Sequence, residues 1–340
     1  MRNILAILIA LFLCFSLFSC GGDKKKEIEK VIISDSLSPE IAKLNAQIKS
    51  DPNNANLYNE RAKLLLEKQK IDEAFADIRN ALNIDSSKAP YFLTLSDVYF
   101  ANGKIKNCKL AIEKAMLLDS KYAEADLKYA ELNLYFKDYK KTNEYIDKAL
   151  AIDKINPKAY FMRGMAYKEV GDTAKAVSNF KISIDQDAEY YHAYIQLGIL
   201  YSLKKSLVAV DYFKNALKLN TKSIEARYGL GMFYQENDEY DKAIEEYDSI
   251  LQIDFKYKFA HYNIGYIYLV YLKDYKKAIT NFTNAITYDS DYAEAYYNRG
   301  YSYELLMDFQ NAKADYKKAL EIKTNYQKAI EGLNRIENSK

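Results

Sequence analysis

Between residues 55 and 326 the apolar positions recur with a period close to 34. Ala62, Ser96, Ala130 and Gly164 stand 34 residues apart, and Gly198, Gly231, Gly265 and Gly300 follow at spacings of 34, 33, 34 and 35. Three places after each small residue come Leu65, Tyr99, Asn133, Tyr167, Tyr201, Tyr234, Tyr268 and Tyr303. A second small position (Ala74, Cys108, Thr142, Ala176, Ala209, Ala243, Ala278, Ala312) is followed four places on by Ile78, Ile112, Ile146, Phe180, Phe213, Tyr247, Phe282 and Tyr316. Offsets of three and four bring side chains to one face of a helix, so each period predicts two helices. The small residues let the pair approach and the large ones fill the gap beside them. Glycine inside a helix costs about 1 kcal/mol against alanine, so its recurrence at one place needs such a close contact. The pattern predicts an all-α chain, a solenoid of stacked helix pairs in which each unit touches only its neighbours.

Both ends of the array carry signs of a cap. Ser38-Pro39-Glu40 has the form of an N-cap with proline in the first turn, and Ile41, Leu44 and Ile48 make a helical stripe. Residues 38–54 are therefore read as an N-terminal capping helix. Ala329, Ile330, Leu333 and Ile336 make a similar stripe on an otherwise polar segment. Residues 327–340 are read as a C-terminal capping helix, the shield that a terminal repeat needs in water.

The first 37 residues follow another pattern. Met1-Arg2-Asn3 carries one positive charge, and Ile4 to Phe18 is an apolar run of 15 residues broken only by Ser16. That length suits the hydrophobic region of a signal peptide and falls short of the roughly eighteen residues of a spanning helix. Leu17-Phe18-Ser19-Cys20-Gly21 then resembles the lipobox of bacterial lipoproteins, with Leu three places before Cys, a small residue before it and Gly after it. The resemblance implies a signal peptide over 1–19, a diacylglycerol on the Cys20 sulfur and an acyl group on its amine. Several chains at about 0.8 kcal/mol per buried methylene hold a protein on a membrane. Residues 20–37 are then a lipidated tether, of which Asp23 to Leu37 would reach at most about 50 Å when extended. The expected location is the cell envelope, in the outer membrane and facing the periplasm.

Composition narrows the chemistry. Lys and Arg number 49 against 47 Asp and Glu, a net charge of +2. Without a long basic run, that balance gives no general grip on nucleic acid. The chain holds 4 Pro and 11 Gly, which suits helices joined by short turns. Two His and three Cys leave little material for a metal site or a His-dependent triad. With Cys14 in the signal and Cys20 lipidated, Cys108 alone remains, at a place that takes alanine in the sister units, and it reads as a small buried hydrophobe. His261 replaces a packing aromatic and reads as a structural histidine. No Gly-rich phosphate loop or paired Cys or His motif occurs, and no segment outside the repeats could house a catalytic domain. The expectation is no enzyme, no cofactor, no metal and no catalytic residue.

Segments such as Ala295-Tyr296-Tyr297-Asn298-Arg299-Gly300-Tyr301-Ser302-Tyr303, followed by Ala312 and Tyr316-Lys317-Lys318-Ala319-Leu320, resemble the tetratricopeptide repeat (TPR). The resemblance covers eight units, 55–88, 89–122, 123–156, 157–190, 191–223, 224–257, 258–292 and 293–326, and implies a right-handed α-solenoid of helix-turn-helix units. The proline that often closes a unit is mostly replaced by Asp turns at Asp85, Asp119, Asp153, Asp187, Asp254 and Asp289. The third unit departs furthest, with Asp126 and Asn133 where large aromatics are usual. The fifth is one residue short and the seventh one long, which should alter only their inter-helix turns.

In this family the first helices of successive units line a concave groove that binds extended or helical peptides. The matching places are Phe161 and Met165, Ile195 and Ile199, Tyr228 and Met232, Tyr262 and Tyr266, Tyr297 and Tyr301. Asn263 and Asn298 stand beside the tyrosines, where in some members an asparagine reaches the backbone of a bound peptide. Tyr262, Tyr266, Tyr297 and Tyr301 should form a continuous aromatic wall with both asparagines open to a partner. Lys158 matches one place of the clamp for a terminal carboxylate, but Met162 stands where its arginine partner would be, so that recognition is not expected. The implied function is a lipid-anchored, non-catalytic scaffold that binds a protein or peptide in the envelope. A glycan-binding lipoprotein is the alternative, because tyrosine-lined surfaces also stack on sugars. Oligomeric state stays open.

Overall fold

The computed structural model describes residues 38–338. The signal peptide, Cys20 and the tether lie outside the described residues. Among the described residues the regular structure is eighteen α-helices and one π-helical turn. Helix α1 (Pro39–Ser50) opens the array. Eight helix pairs follow. Their first helices are α2 (Ala55–Glu67), α4 (Ala89–Ala101), α6 (Ala123–Tyr135), α8 (Pro157–Glu169), α10 (Tyr191–Ser202), α12 (Ile224–Glu236), α14 (Lys258–Ile267) and α16 (Ala293–Leu305). Their second helices are α3 (Ile71–Ile84), α5 (Ile105–Leu118), α7 (Tyr139–Ile152), α9 (Thr173–Gln186), α11 (Val208–Leu219), α13 (Tyr240–Ile253), α15 (Tyr275–Tyr288) and α17 (Phe309–Ile322). Helix α18 (Gln327–Asn338) ends it.

Each pair closes through one turn chemistry. Two or three places past the first helix, or directly past the π-helical turn in the seventh unit, the chain takes a left-handed conformation at Gln69, Gly103, Lys137, Gly171, Lys205, Asp238, Lys273 and Met307, and only two of these are glycine. The next N–H then reaches back to a carbonyl of the last helical turn, as from Lys104 to Tyr99 (2.8 Å) and from Asp172 to Tyr167 (2.9 Å), the Schellman closure of a helix. Between units, the carboxylates of Asp85, Asp119, Asp153, Asp187, Asp254 and Asp289 each accept the backbone N–H two residues on. These Asx turns do the work that proline does elsewhere.

The seam within each pair is tight. A Cβ added at Gly164 would lie 2.6 Å from the Phe180 ring, at Gly198 2.7 Å from Phe213, and at Gly231 2.7 Å from Tyr247. Gly332 of α18 lies against Tyr316 in the same way, so this cap takes the place of a ninth first helix. Two bidentate ion pairs staple the ends. Arg61 binds Asp77 (2.6 and 2.6 Å) and reaches Asn45 of α1, and Arg299 binds Asp315 (2.8 and 2.7 Å) and reaches Thr283 of the preceding unit. Both aspartates are buried.

The irregular units absorb their odd residue in the turn and beyond it. In the fifth, the deletion costs α11 its first turn, leaving 12 residues where the other second helices have 14. In the seventh, the inserted residue becomes a π-helical turn, Tyr268–Leu272, that carries α14 to its left-handed Lys273.

Candidate functional site

Successive first helices touch along the array, α2 with α4, α4 with α6, α6 with α8, α10 with α12 and α16 with α18, whereas successive second helices make no comparable contact. Helices that crowd on one side of a stack curve it toward that side. The first helices therefore line the inner, concave face, and their outward-pointing side chains form the candidate site.

The face begins as an ionic network. Lys128 is paired to Asp97 (2.8 Å) and Glu131 (3.1 Å), and Lys158 to Glu124 (3.2 Å) and Glu131 (3.6 Å). Burial works against the Lys128 ammonium, and the two carboxylates outweigh it and raise its pKa. Lys158 is thus spent on protein carboxylates, in keeping with the missing clamp.

From unit 157–190 onward the face turns aromatic. Tyr228, Tyr262 and Tyr297, each half-buried, pack against Tyr257 (6.1 Å between centroids), Tyr292 (4.9 Å) and Tyr326 (5.4 Å), and Phe161 meets Tyr190 at 5.3 Å. Each contact joins a ring on a unit's first helix to the last residue of the same unit, a tyrosine placed just before the next helix begins, so it ties the two ends of one unit together. Tyr266 lies 6.4 Å from Tyr262 and 6.1 Å from Tyr271. Tyr301 runs nearly parallel to Tyr297 (6.3 Å, 4°), with Arg335 of α18 over its ring. The ring contacts form two blocks, joined where Tyr301 packs with Tyr262 and Tyr266 against Leu269, Ala278 and Phe282.

Tyr190, Tyr257, Tyr292 and Tyr326 are site residues that the reading of the sequence missed. The signal was present: with Tyr122, they recur at the unit period immediately before the first helices. Burial raises Tyr190 and Tyr257 to about 12 and pushes Tyr292 and Tyr326 up as well, so all four stay neutral donors. No hydrogen bond within the described residues engages their hydroxyls.

The two asparagines differ from expectation. Asn263 and Asn298 are buried, not open to a partner. Asn263 donates to the Tyr228 hydroxyl (3.2 Å) and to the Met232 sulfur (3.6 Å), and Asn298 donates to the Tyr262 hydroxyl (2.9 Å). The stacking of units sets each amide behind the previous unit's tyrosine. The asparagines therefore position rings, and the hydroxyl each one engages as acceptor keeps its own proton to donate.

The remaining candidates have ordinary packing roles. Cys108 is buried and its thiol is pushed up to about 11 by desolvation, which suits a small hydrophobe. His261 is buried, bonds the Phe255 carbonyl through Nε2 (3.0 Å) and stacks on Tyr288. Among the described residues no group of His, Cys, Asp and Glu is arranged to hold a metal, and no helix is long and apolar enough to cross a membrane.

Tetratricopeptide repeat models match residues 145–178, 208–261 and 293–326, and a TPR repeat model matches 269–306. This chain is a tetratricopeptide repeat protein. The TPR array is 24% identical over 201 residues to the CTR9 homolog of Arabidopsis thaliana, a match covering 53% of this chain and 18% of that much longer protein. In structure it is similar to the APC/C assembly Cut9–Hcn1 (TM-score 0.55, 17% identity, 87% of this chain and 58% of that one). It is also similar to PilF of Pseudomonas aeruginosa (TM-score 0.52, 17% identity, 59% and 92%). At such identities these likenesses establish the TPR solenoid and nothing about partners.

Proposed function

We propose that this TPR protein is a non-catalytic scaffold, held in the bacterial cell envelope by lipid on Cys20, that binds a segment of a partner protein along its concave face. The observation that carries the reading is the row of ring contacts Tyr228–Tyr257, Tyr262–Tyr292 and Tyr297–Tyr326, each half-buried and on one face. Tyrosine offers rigid contact area with a polar tip, the composition of binding hot spots. TPR models across the chain support a protein-binding role. The anchor rests on the Leu17 to Cys20 pattern, and an outer-membrane, periplasm-facing location is proposed with it.

Replacing Tyr266 and Tyr301 together by alanine removes two anchors worth on the order of 2 kcal/mol each. Affinity for a partner recovered on the full-length chain should fall by about several hundredfold or more, with helicity unchanged by circular dichroism. The control pair Tyr268→Ala and Tyr303→Ala should lose helicity instead. Unchanged binding in the first variant overturns the groove, and retention on polysaccharide without any protein partner favours the glycan reading. For the anchor, Cys20→Ser should leave the membrane fraction or accumulate as uncleaved precursor; a processed variant that stays with the membrane overturns lipidation.

A further inference from the structure

The turns within the helix pairs lie along one edge of the array, and the turns between units along the other. Tips of neighbouring units meet on the first edge: Phe100 packs on Tyr135 at 5.2 Å, and Tyr240 stacks on Tyr271 at 4.3 Å. Most of the large apolar side chains exposed among the described residues lie along it. The two units of irregular length both carry their change here. In the fifth, the shortened α11 leaves Leu207 (70% exposed) and Val208 beside Lys204 and Lys205. In the seventh, the π-helical turn sets Val270, Tyr271 and Leu272 in solvent just ahead of Lys273. The eighth adds Leu306 and Met307, the latter 79% exposed.

Three of these tips hold a side chain where glycine would be unstrained. Lys205, Lys273 and Met307 have φ of 52°, 56° and 61°, a region that other residues enter at a cost and glycine enters freely. Gly103 and Gly171 take the same place in other units. Within the described residues none of the three side chains makes a hydrogen bond or ion pair, so the strain serves no contact of the fold. Strain of this kind marks a place where the side chain itself is used.

The chain also enters the array at this edge. Helix α1 takes the place of a second helix: Arg61 reaches back 16 residues to Asn45, as Arg299 reaches back 16 to Thr283 on the second helix of the preceding unit. Its N-terminus at Ser38 therefore lies on the edge of the within-pair turns, and the segment that carries Cys20 joins the body there.

We infer that this edge, from unit 191–223 to unit 293–326, rests on the bilayer that holds the Cys20 lipid. Leu207, Leu272 and Met307 enter the boundary between headgroups and acyl chains, and Lys204, Lys205 and Lys273 meet the lipid phosphates. Aliphatic tips flanked by lysine suit a surface that is anionic above and apolar beneath. Turn tips project from the body and can enter a soft surface without a matching pocket. This rests on the lipid anchor proposed above and adds an orientation that leaves the concave face open. The contact is weak and orients a chain that lipid retains, so Cys20→Ser is still expected to leave the membrane.

The chain contains no Trp, so a single introduced Trp reports its own surroundings. Full-length chain with Leu272→Trp or Met307→Trp is reconstituted in vesicles of phosphatidylethanolamine and phosphatidylglycerol containing brominated lipid. Emission should shift to shorter wavelength and be quenched by bromine. Leu117→Trp, on the opposite edge at a residue 82% exposed, should keep a water-like spectrum. Exchanging Lys204, Lys205 and Lys273 together for Gln should weaken the contact about a hundredfold, at about fivefold for each lysine, and return the reporter at 272 to that spectrum. Lys273→Gly and Met307→Gly should match or exceed the parent in thermal midpoint; a fall would show that these side chains serve the fold and would overturn the inference. Reporters at 272 and 307 that stay water-like on chain joined to the vesicles overturn the edge and leave the anchor standing. Reporters that are buried by a protein partner and not by lipid overturn it too, and make the edge a protein interface. A chain that stays off the vesicles overturns both edge and anchor.

Discussion

The first three units and the last five share one backbone but fill its closest contact in opposite ways. In 55–156 a residue with a Cβ, Ala62, Ser96 or Ala130, is matched with Ile78, Ile112 or Ile146. In 157–326 glycine is matched with Phe180, Phe213, Tyr247, Phe282 or Tyr316, all of them fully or almost fully buried. Volume lost on one side of the seam is regained on the other. A core packed to crystal-like density accepts such an exchange only when both partners change together. The concave face changes in the same stretch of chain, from the ion pairs of Asp97, Lys128 and Glu131 to the rings of Tyr228, Tyr262 and Tyr297. One scaffold thus presents an ionic surface and an aromatic one end to end. On the isoleucine side the third unit buries Asp126 and places Asn133 where the other units carry Leu or Tyr, and open clefts of about 320 and 300 Å³ border its first helix, α6.

The largest expected effect is common to both regions and bounds the comparison. Arg61→Ala or Arg299→Ala would leave Asp77 or Asp315 buried and unpaired, at about 3 kcal/mol each. Chemical denaturation should show similar losses at the two ends; a loss at one end alone would mean that the staple depends on the type of core beside it.

The seam itself can be broken and repaired. Gly164→Ala gains about 1 kcal/mol of helix propensity but sets a methyl inside the Phe180 ring contact, where overpacking costs typically about 1–3 kcal/mol. A net loss of up to about 2 kcal/mol is expected. Adding Phe180→Ile converts the pair to the type of the first units and should recover part of the loss, which a double-mutant cycle would read as coupling between the two sites. Additive effects would show that the two seam types are not exchangeable.

Hydrogen exchange tests where the difference matters. Amides of α6 and α7 should exchange about tenfold faster than those of α16 and α17, because local opening is easiest where packing is poorest. Equal protection along the array would remove the distinction in stability between the regions.

The smallest effect concerns Asp126, which is buried in that third unit. Desolvation raises its pKa above the usual 3.8, with Lys148 partly offsetting the rise. A carboxyl whose folded pKa is raised binds its proton more tightly in the folded chain, so its contribution becomes more favourable as pH falls through the folded value, down to the unfolded one. Asp126→Asn should therefore raise the thermal midpoint at neutral pH, with the advantage shrinking as pH approaches 3.8. A midpoint that drops at neutral pH would mean that the carboxylate is satisfied where it stands.

Much of this molecule could be read from local pattern. The small and large seam positions, the Asp turns and the Ser38 cap act within a few residues of themselves, or within one helix pair, and their spacing announces them. Their physics is short-ranged in sequence: a helix face, a turn hydrogen bond, the volume beside a glycine. The concave face was legible only in part. Tyr262 and Tyr266 stand where the period places them, but Asn263 and Asn298 look inward to Tyr228 and Tyr262, residues 35 and 36 positions away. Whether an amide faces solvent or a neighbouring ring depends on how far one unit is rotated against the next, and no single repeat encodes that angle. Sequence determined the units, because each is made by contacts between near neighbours in the chain. Tertiary structure alone decided which side chains the curvature of the stack brings face to face.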